Sequence, residues 1–301
     1  MTDQPRYPEP KHRCLPDYFK YRRSVDCAYP AVPTQTGAVM AAMANELLSN
    51  EWRTPEDIRE RQLRQLRSLV AHAAKHSPYY ANRLKQAGVR AEEIDTIEDY
   101  ARVPVLGRTQ LQDHHDAIAA RKLPGGIKAA GEMSTSGSSG SPVKVRATSF
   151  SALVWWACNM RANVWADCHP ERCMASIRFL DKKKAAQTHQ PQGAHMPHWG
   201  GPLSQYFQTG EAYAMHIALD LVNQADMLER ANPHYITSYP TNLVSLGRLL
   251  RERGVTLDRL EHIQTVSELL TAERRAEIED LFGAAVFDTY SCVEVGYVAN
   301  D

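Results

Sequence analysis

The strongest constraint on this chain is an alternation of strand and helix signals in its last third. A run of β-branched and aromatic residues at 234–239 (HYITSY) reads as a strand, and an apolar helical pattern at 241–253 is closed by Gly254. A second strand follows at 262–266, a second helix at 271–282 closed by Gly283, and a third strand at 285–290. A helix between successive strands returns the chain to the same edge, so the strands run parallel and the helices cover the sheet. In sheets of this kind ligands gather at the carboxyl ends of the strands. Ser267-Glu268 and the segment from Tyr290 to Glu294 fall at those ends.

The pattern before this region is less regular. Residues 1–53 mix Pro, Tyr and charge with a small-residue run at 38–48, and read as an irregular arm followed by a short helix. Thr54 is then a suitable N-cap, Pro55 suits the first helical turn, and Glu56 and Asp57 suit the positive helix end. Ile58, Leu63, Leu66, Leu69, Val70 and Ala73 form one apolar stripe on an Arg-rich helix, the signature of a packed face. Ser77-Pro78 interrupts this helix and Gly88 ends a second. A Trp-rich apolar helix is expected from 151 to about 167, a strand at 174–179, and a polar, His-rich loop around 181–202.

Between these regions lies the segment 133–147, MSTSGSSGSPVKVRA. Its hydroxyls and glycines give way abruptly to an alternating Val143-Lys144-Val145-Arg146 strand pattern. Glycines let backbone N–H groups converge on a phosphate, and hydroxyls add donors. The same composition also describes a flexible linker, and the spacing does not match the common nucleoside-triphosphate loop, because Gly140 is followed by Ser141-Pro142.

Composition narrows the function classes. Lys+Arg and Asp+Glu each number 35, so there is no global basic field for nucleic acid or an anionic membrane. No long uncharged apolar run and no signal-like N-terminus occur, and a cytoplasmic location is the expectation. Six scattered cysteines do not form a disulfide framework. Cys168, His169 and Cys173, and the loop histidines His189, His195 and His198, have ligand chemistry without metal-site spacing. Lys182-Lys183-Lys184 reads as a solvated run that can also steer an anionic ligand.

Four segments in order resemble one family: LRSLVAHAAKHSPYYANRLKQAGV with the VPVLGRTQL turn, the loop STSGSSGSP, the strand and helix ITSYPTNLVSLGRLL, and VSELLTAERRAEIEDLFGAAVFDTYSCVEVG. From about residue 55 onward the chain resembles the N-terminal portion of the adenylate-forming ligases, in particular the phenylacetate-CoA ligase branch. The resemblance implies an α/β fold with parallel-rich sheets and flanking helices, in which residues 54–301 form the ATP- and acyl-binding domain and a smaller C-terminal domain is missing. It also implies a two-step reaction: carboxylate and ATP give acyl-AMP and pyrophosphate, then CoA takes the acyl group as a thioester.

Carried over by residue, the resemblance assigns Ser136, Gly137, Ser138, Ser139 and Gly140 to the ATP phosphates. It sets the backbone of Ser267, Glu268 and Leu269 beside the adenine, packs Tyr290 against it, and gives Glu294 to Mg²⁺, with Glu294, Ser138 and Ser139 in the catalytic roles. Read without the family, Glu294 is a solvated carboxylate, Tyr290 a core residue and Glu268 a first-turn charge of the following helix. Ser138 and Ser139 stand where the family usually has threonines, which keeps both hydroxyls. The sequence stops seven residues after Glu294, before the family's ribose-binding Asp, hinge and Lys-bearing C-terminal domain. Weak or no turnover by this chain alone is therefore expected, and a non-catalytic binding or assembly subunit is the alternative. The family implies a small carboxylic acid, aryl or arylacetic, as substrate and a homodimer as a possible assembly. Trp155, Trp156, Tyr206, Phe207 and Tyr239 are compatible with an aromatic pocket.

Overall fold

The computed structural model describes residues 12–25, 27, 29–134, 142–181, 185–201 and 203–301, which form two compact units. One comprises the residues up to 49 together with 154–301, and the other residues 50–153. The expected arm is held down: Phe19 is buried against Phe207, and the Arg22 N–H donates to the Tyr206 carbonyl. Helix α1 (Gln35–Asn50) follows, with Gly37 N–H donating to Thr34 Oγ1 at 3.2 Å.

The unit of residues 50–153 opens with α2 (Pro55–His76), where Thr54 accepts the Asp57 N–H as its sequence position suggests. Leu63 and Val70 are buried, but Leu69 is exposed. Neighbouring helical residues point about 100° apart, so Leu69 is turned away from the side that Val70 buries. Buried Ser77 ends α2 and caps α3 (Pro78–Ala87), donating its own hydroxyl to the Ile118 carbonyl at 2.7 Å. Gly88, at φ +63°, closes α3 in the left-handed conformation that glycine adopts without strain. Short helices α4 (Ile97–Tyr100), α5 (Arg108–Asp113) and α6 (His115–Ile118) lead to an antiparallel hairpin of β1 (Ala129–Ser134) and β2 (Lys144–Thr148). The predicted strand at Val143 onward is thus present, and its partner strand precedes the Ser/Gly run. Ser134 and Lys144, which flank that run, are paired across the hairpin.

Helix α7 (Ser149–Trp165) starts with Thr148 accepting the Ser151 N–H. The elements after it are β3 (Met174–Arg178), β4 (Ala194–Met196), α8 (Leu203–Tyr206), β5 (Ala212–His216), α9 (Leu221–Ala231), β6 (Tyr235–Ser238), α10 (Pro240–Glu252), β7 (His262–Val266), α11 (Ala272–Phe282), β8 (Ala285–Cys292) and β9 (Gly296–Asn300). They build a seven-stranded sheet in the order β4-β5-β3-β6-β7-β8-β9. The five central strands are parallel and the two edges antiparallel, so the parallel-rich sheet expected from the alternation is present.

One sheet face is apolar because alternate strand residues point to it: Ala175, Ile177, Met215, Ile236, Ile263 and Val286. Helices α9, α10 and α11 cover it with Leu228, Leu243, Leu246 and Ile278, all fully buried. Gly247 lets α10 and α11 approach closely, since a Cβ there would lie 2.8 Å from Phe282. The opposite residues of the same strands are polar, small or aromatic, and this second face carries the candidate site.

Candidate functional site

The parallel strands bring their carboxyl ends to one edge. Ser267 leaves β7 at φ +64°, in the left-handed region that a residue with a Cβ rarely enters, and Glu268 N–H donates back to the Val266 carbonyl at 2.9 Å. The result is a γ-turn with a positive-φ centre, a strained form that turns the chain sharply off the strand. The Glu268 carboxylate accepts the Thr241 hydroxyl at 2.7 Å and the Thr241 N–H at 3.1 Å. It therefore serves the N-terminus of α10, where Tyr239 provides no side-chain cap, and not the helix that follows it. Leu269, next in the turn, is 78% exposed.

Tyr290 lies near the end of β8 and is 62% exposed, which rules out the core reading. Glu294 is in the turn between β8 and β9, exposed and without an ion pair among the described residues. The antiparallel return of β9 is not apparent in the sequence; the pairing of Cys292 with Gly296 closes that turn. The edge thus gathers Ser267, Glu268, Leu269, Tyr290 and Glu294 on adjacent strands β7 and β8. Ser136, Gly137, Ser138, Ser139 and Gly140, and likewise Lys182-Lys183-Lys184, lie outside the described residues.

Beside this edge, between α7 and the second sheet face, is a cavity of about 460 Å³. Alternate residues of β3 (Met174, Ser176, Arg178), β6 (Tyr235, Thr237) and β7 (His262, Gln264) form its floor. Small Ala212 and Ala214 on β5 leave the space open, while Trp155, Trp156 and Trp199 line other parts of the wall. A Cβ on Gly201, at φ +57°, would lie 3.2 Å from the Trp156 ring. Of the aromatics singled out in the sequence, Trp155 and Trp156 line this cavity. Tyr206 and Phe207 are buried elsewhere, and the Tyr239 hydroxyl accepts the Phe179 N–H at 2.8 Å.

The floor is polar in a way that no local sequence window reveals. Ser176, Thr237 and Gln264 occupy one row across β3, β6 and β7. Thr237 donates to Gln264 Oε1 at 3.3 Å, Gln264 donates to Thr289 at 2.9 Å, and Thr289 donates to Asn300 at 2.8 Å. At the other end of the row the buried Ser176 hydroxyl has no hydrogen-bond partner. His262 stacks on Tyr235 at 4.4 Å, and burial pushes its pKa down to about 4, so the ring is neutral. Burial raises the Tyr235 phenol, whose oxygen accepts the His169 N–H at 2.9 Å, and the Cys168 thiol beside it. These two groups stay protonated and contribute packing and hydrogen bonding.

The histidines and cysteines form no metal centre among the described residues. His189 contacts the Leu180 carbonyl and stacks on His216, His195 stacks on Tyr213, and His198 accepts the Gly200 N–H. All six cysteines are free. No helix among the described residues is long and apolar enough to cross a membrane.

No protein-family model matches the chain. Two curated relatives do. The chain is 23% identical over 249 residues to a phenylacetate-coenzyme A ligase of Pseudomonas putida, with 79% of this chain and 51% of that protein covered. It is 24% identical over 252 residues to a phenylacetate-coenzyme A ligase of Thermus thermophilus, covering 80% of this chain and 51% of that protein. The chain spans about half the length of the curated relatives it matches. Its fold matches a solved 2-hydroxyisobutyryl-CoA ligase in an open conformation in complex with 2-HIB-AMP and CoA, with a TM-score of 0.60, 18% identity, and 79% of this chain and 54% of that one covered. The postadenylation state of the same ligase, in complex with 2-HIB-AMP, gives a TM-score of 0.60 at 17% identity, with 79% and 49% covered. The resemblance to phenylacetate-CoA ligases thus extends over about four-fifths of the chain, and the partial coverage fits a portion of such a ligase.

Proposed function

We propose that this chain is the ATP- and carboxylic-acid-binding portion of an AMP-forming acyl-CoA ligase of the phenylacetate-CoA ligase kind. The observation that carries the reading is the adjacency, on one sheet, of a strained carboxyl-edge turn with an exposed ring and carboxylate and a cavity large enough for a small organic acid. The acid lies in the cavity with its carboxylate toward the edge, where a carboxylate oxygen attacks the α-phosphorus of ATP and pyrophosphate leaves. The acyl-AMP then gives its acyl group to the CoA thiolate, with AMP as leaving group.

Each residue has a bounded task in this scheme. The backbone of Ser267–Leu269 borders the adenine, and the Glu268–Thr241 hydrogen bonds hold that turn against α10. Tyr290 presents an exposed ring to the flat purine. Ser136–Gly140, by resemblance, offer hydroxyls and N–H groups to the phosphates. An exposed carboxylate with no ion-pair partner among the described residues, as at Glu294, fits a hard cation that takes its other oxygens from phosphate and water. Mg²⁺ held there would neutralise the charge on the departing pyrophosphate.

Calorimetric titration with Mg²⁺ and a non-hydrolysable ATP analogue tests the reading. Binding is expected to weaken about ten-fold or more in Glu294→Gln and in the Ser138→Ala/Ser139→Ala double variant, as loss of charge-assisted bonds requires. Absence of binding by the parent chain, or equal binding by all three proteins, would refute it. Trapping of acyl-AMP with hydroxylamine then separates an active ligase portion from one that only binds.

A further inference from the structure

Arg178 ends β3 and lines the cavity, yet its guanidinium makes no ion pair or hydrogen bond with any described residue. Protein atoms crowd it enough that loss of hydration lowers its pKa, only partly offset by Tyr239, while the cavity leaves it accessible to a small molecule. Two residues earlier on the same strand face, the buried Ser176 hydroxyl is also without a partner. A guanidinium that faces a cavity without a counter-ion depends on the solvent there, and a neutral or purely apolar occupant that displaced this solvent would carry a cost. Two donors without a protein partner on one wall of a cavity fit an anion.

The register indicates which anion. Met174, Tyr235, His262 and Ala285 form one row, so Arg178 lies level with Thr289 across the sheet. From β3 to β8 there are three strand spacings, so Arg178 stands ~14 Å along the carboxyl edge from the Thr289-Tyr290 end of β8. The carboxylate that is activated must approach the nucleotide at that end. It also loses its charge when one of its oxygens becomes the bridging oxygen of the acyl phosphate anhydride, which would leave Arg178 unpaired at every turnover.

We propose that the cavity takes an acid bearing a second anionic group, and that Arg178, assisted by Ser176, holds that second anion while the first carboxyl reacts. The proposal rests on the ligase reading for the direction in which the acid lies, and it adds the substrate class: a diacid, with an aromatic ring suited to the wall of Trp155, Trp156 and Trp199. Arg178 on this view determines specificity and takes no part in bond making.

Tryptophan fluorescence titration of the chain with phenylacetate, para-carboxyphenylacetate and its neutral para-carboxamide tests this, because three tryptophans line the cavity. The diacid is expected to bind about ten-fold more tightly than either monoacid, with Arg178→Gln erasing the difference and changing phenylacetate affinity by less than about two-fold. Equal affinities in the parent chain overturn the proposal without need of a variant, as does an Arg178→Gln effect that is the same for all three acids or that falls on the ATP analogue. Arg178→Lys, which keeps the charge, must retain part of the diacid preference, and its melting temperature checks folding. The outcomes separate the two readings. Diacid preference without binding of the ATP analogue refutes the ligase reading alone, and binding of the ATP analogue that weakens in Glu294→Gln, with acid affinities that do not depend on Arg178, refutes the present inference alone.

Discussion

The two faces of the seven-stranded sheet are built from the same strands and do opposite work. On one, Ile177, Ile236, Ile263 and Val286 meet Leu228, Leu243, Leu246 and Ile278, and all eight are buried. On the other, Ser176, Thr237 and Gln264 carry a hydrogen-bonded row beneath a cavity with aromatic walls. The first face pays for the second: an unfilled volume, an unpaired hydroxyl and an uncompensated guanidinium are tolerable only where the rest of the fold holds the strands in place. The difference teaches where to look for function in such a sheet, namely on the face whose residues are not optimised for burial.

Substitutions that exchange the character of the faces give graded effects. The largest is expected from Leu246→Ala, which removes a fully buried side chain between α10 and the sheet and should cost about 3 kcal/mol in denaturant unfolding. If the loss is under about 1 kcal/mol, the apolar face is not the structural one.

His262 gives an effect of similar size that depends on pH. Its folded pKa of about 4 lies below the ordinary value near 6.5, so the unfolded chain binds a proton that the folded chain refuses. Its contribution is fully present above about pH 6.5 and is lost as pH falls toward about 4, up to about 3 kcal/mol. His262→Phe, which keeps a ring against Tyr235, should flatten the stability profile over that window relative to the parent; parallel profiles would show that His262 is not protected from protonation.

Breaking the polar row should cost less. Gln264→Leu leaves Thr237 without its acceptor and removes the donor to Thr289, an expected loss of about 1–2 kcal/mol in the same assay. Ser176→Ala should change stability by less than about 0.5 kcal/mol, or raise it, because the hydroxyl it removes has no partner. A loss above about 1 kcal/mol would mean that Ser176 is already satisfied, and would weaken the contrast between the faces.

Much of the architecture was legible because its signals are local. Thr54, Gly88, Gly254 and Gly283 mark helix ends through backbone conformations and hydrogen bonds made within a few residues, and the structure has a helix ending or beginning at each. The β9 return was missed because Val293-Glu294-Val295 carries none of the usual turn residues until Gly296. Leu69 belongs to the apolar stripe of the sequence and is nevertheless exposed, because periodicity defines a face only to within about one residue's rotation. Glu268 was legible as a site residue by resemblance, but its hydrogen bonds to Thr241 join positions 27 residues apart.

The sequence by itself determined the alternation of strand and helix, the parallel sheet that follows from it, and the edge at which Ser267, Tyr290 and Glu294 stand. Hydrophobic period and helix caps encode these over a dozen residues or fewer. Only the tertiary structure decided that Ser176, Thr237 and Gln264 share a row, that α7 covers them with tryptophans, and that Arg178 faces a cavity without a counter-ion. Each of these depends on strand register across a sheet, where a shift of one residue would turn every side chain to the opposite face.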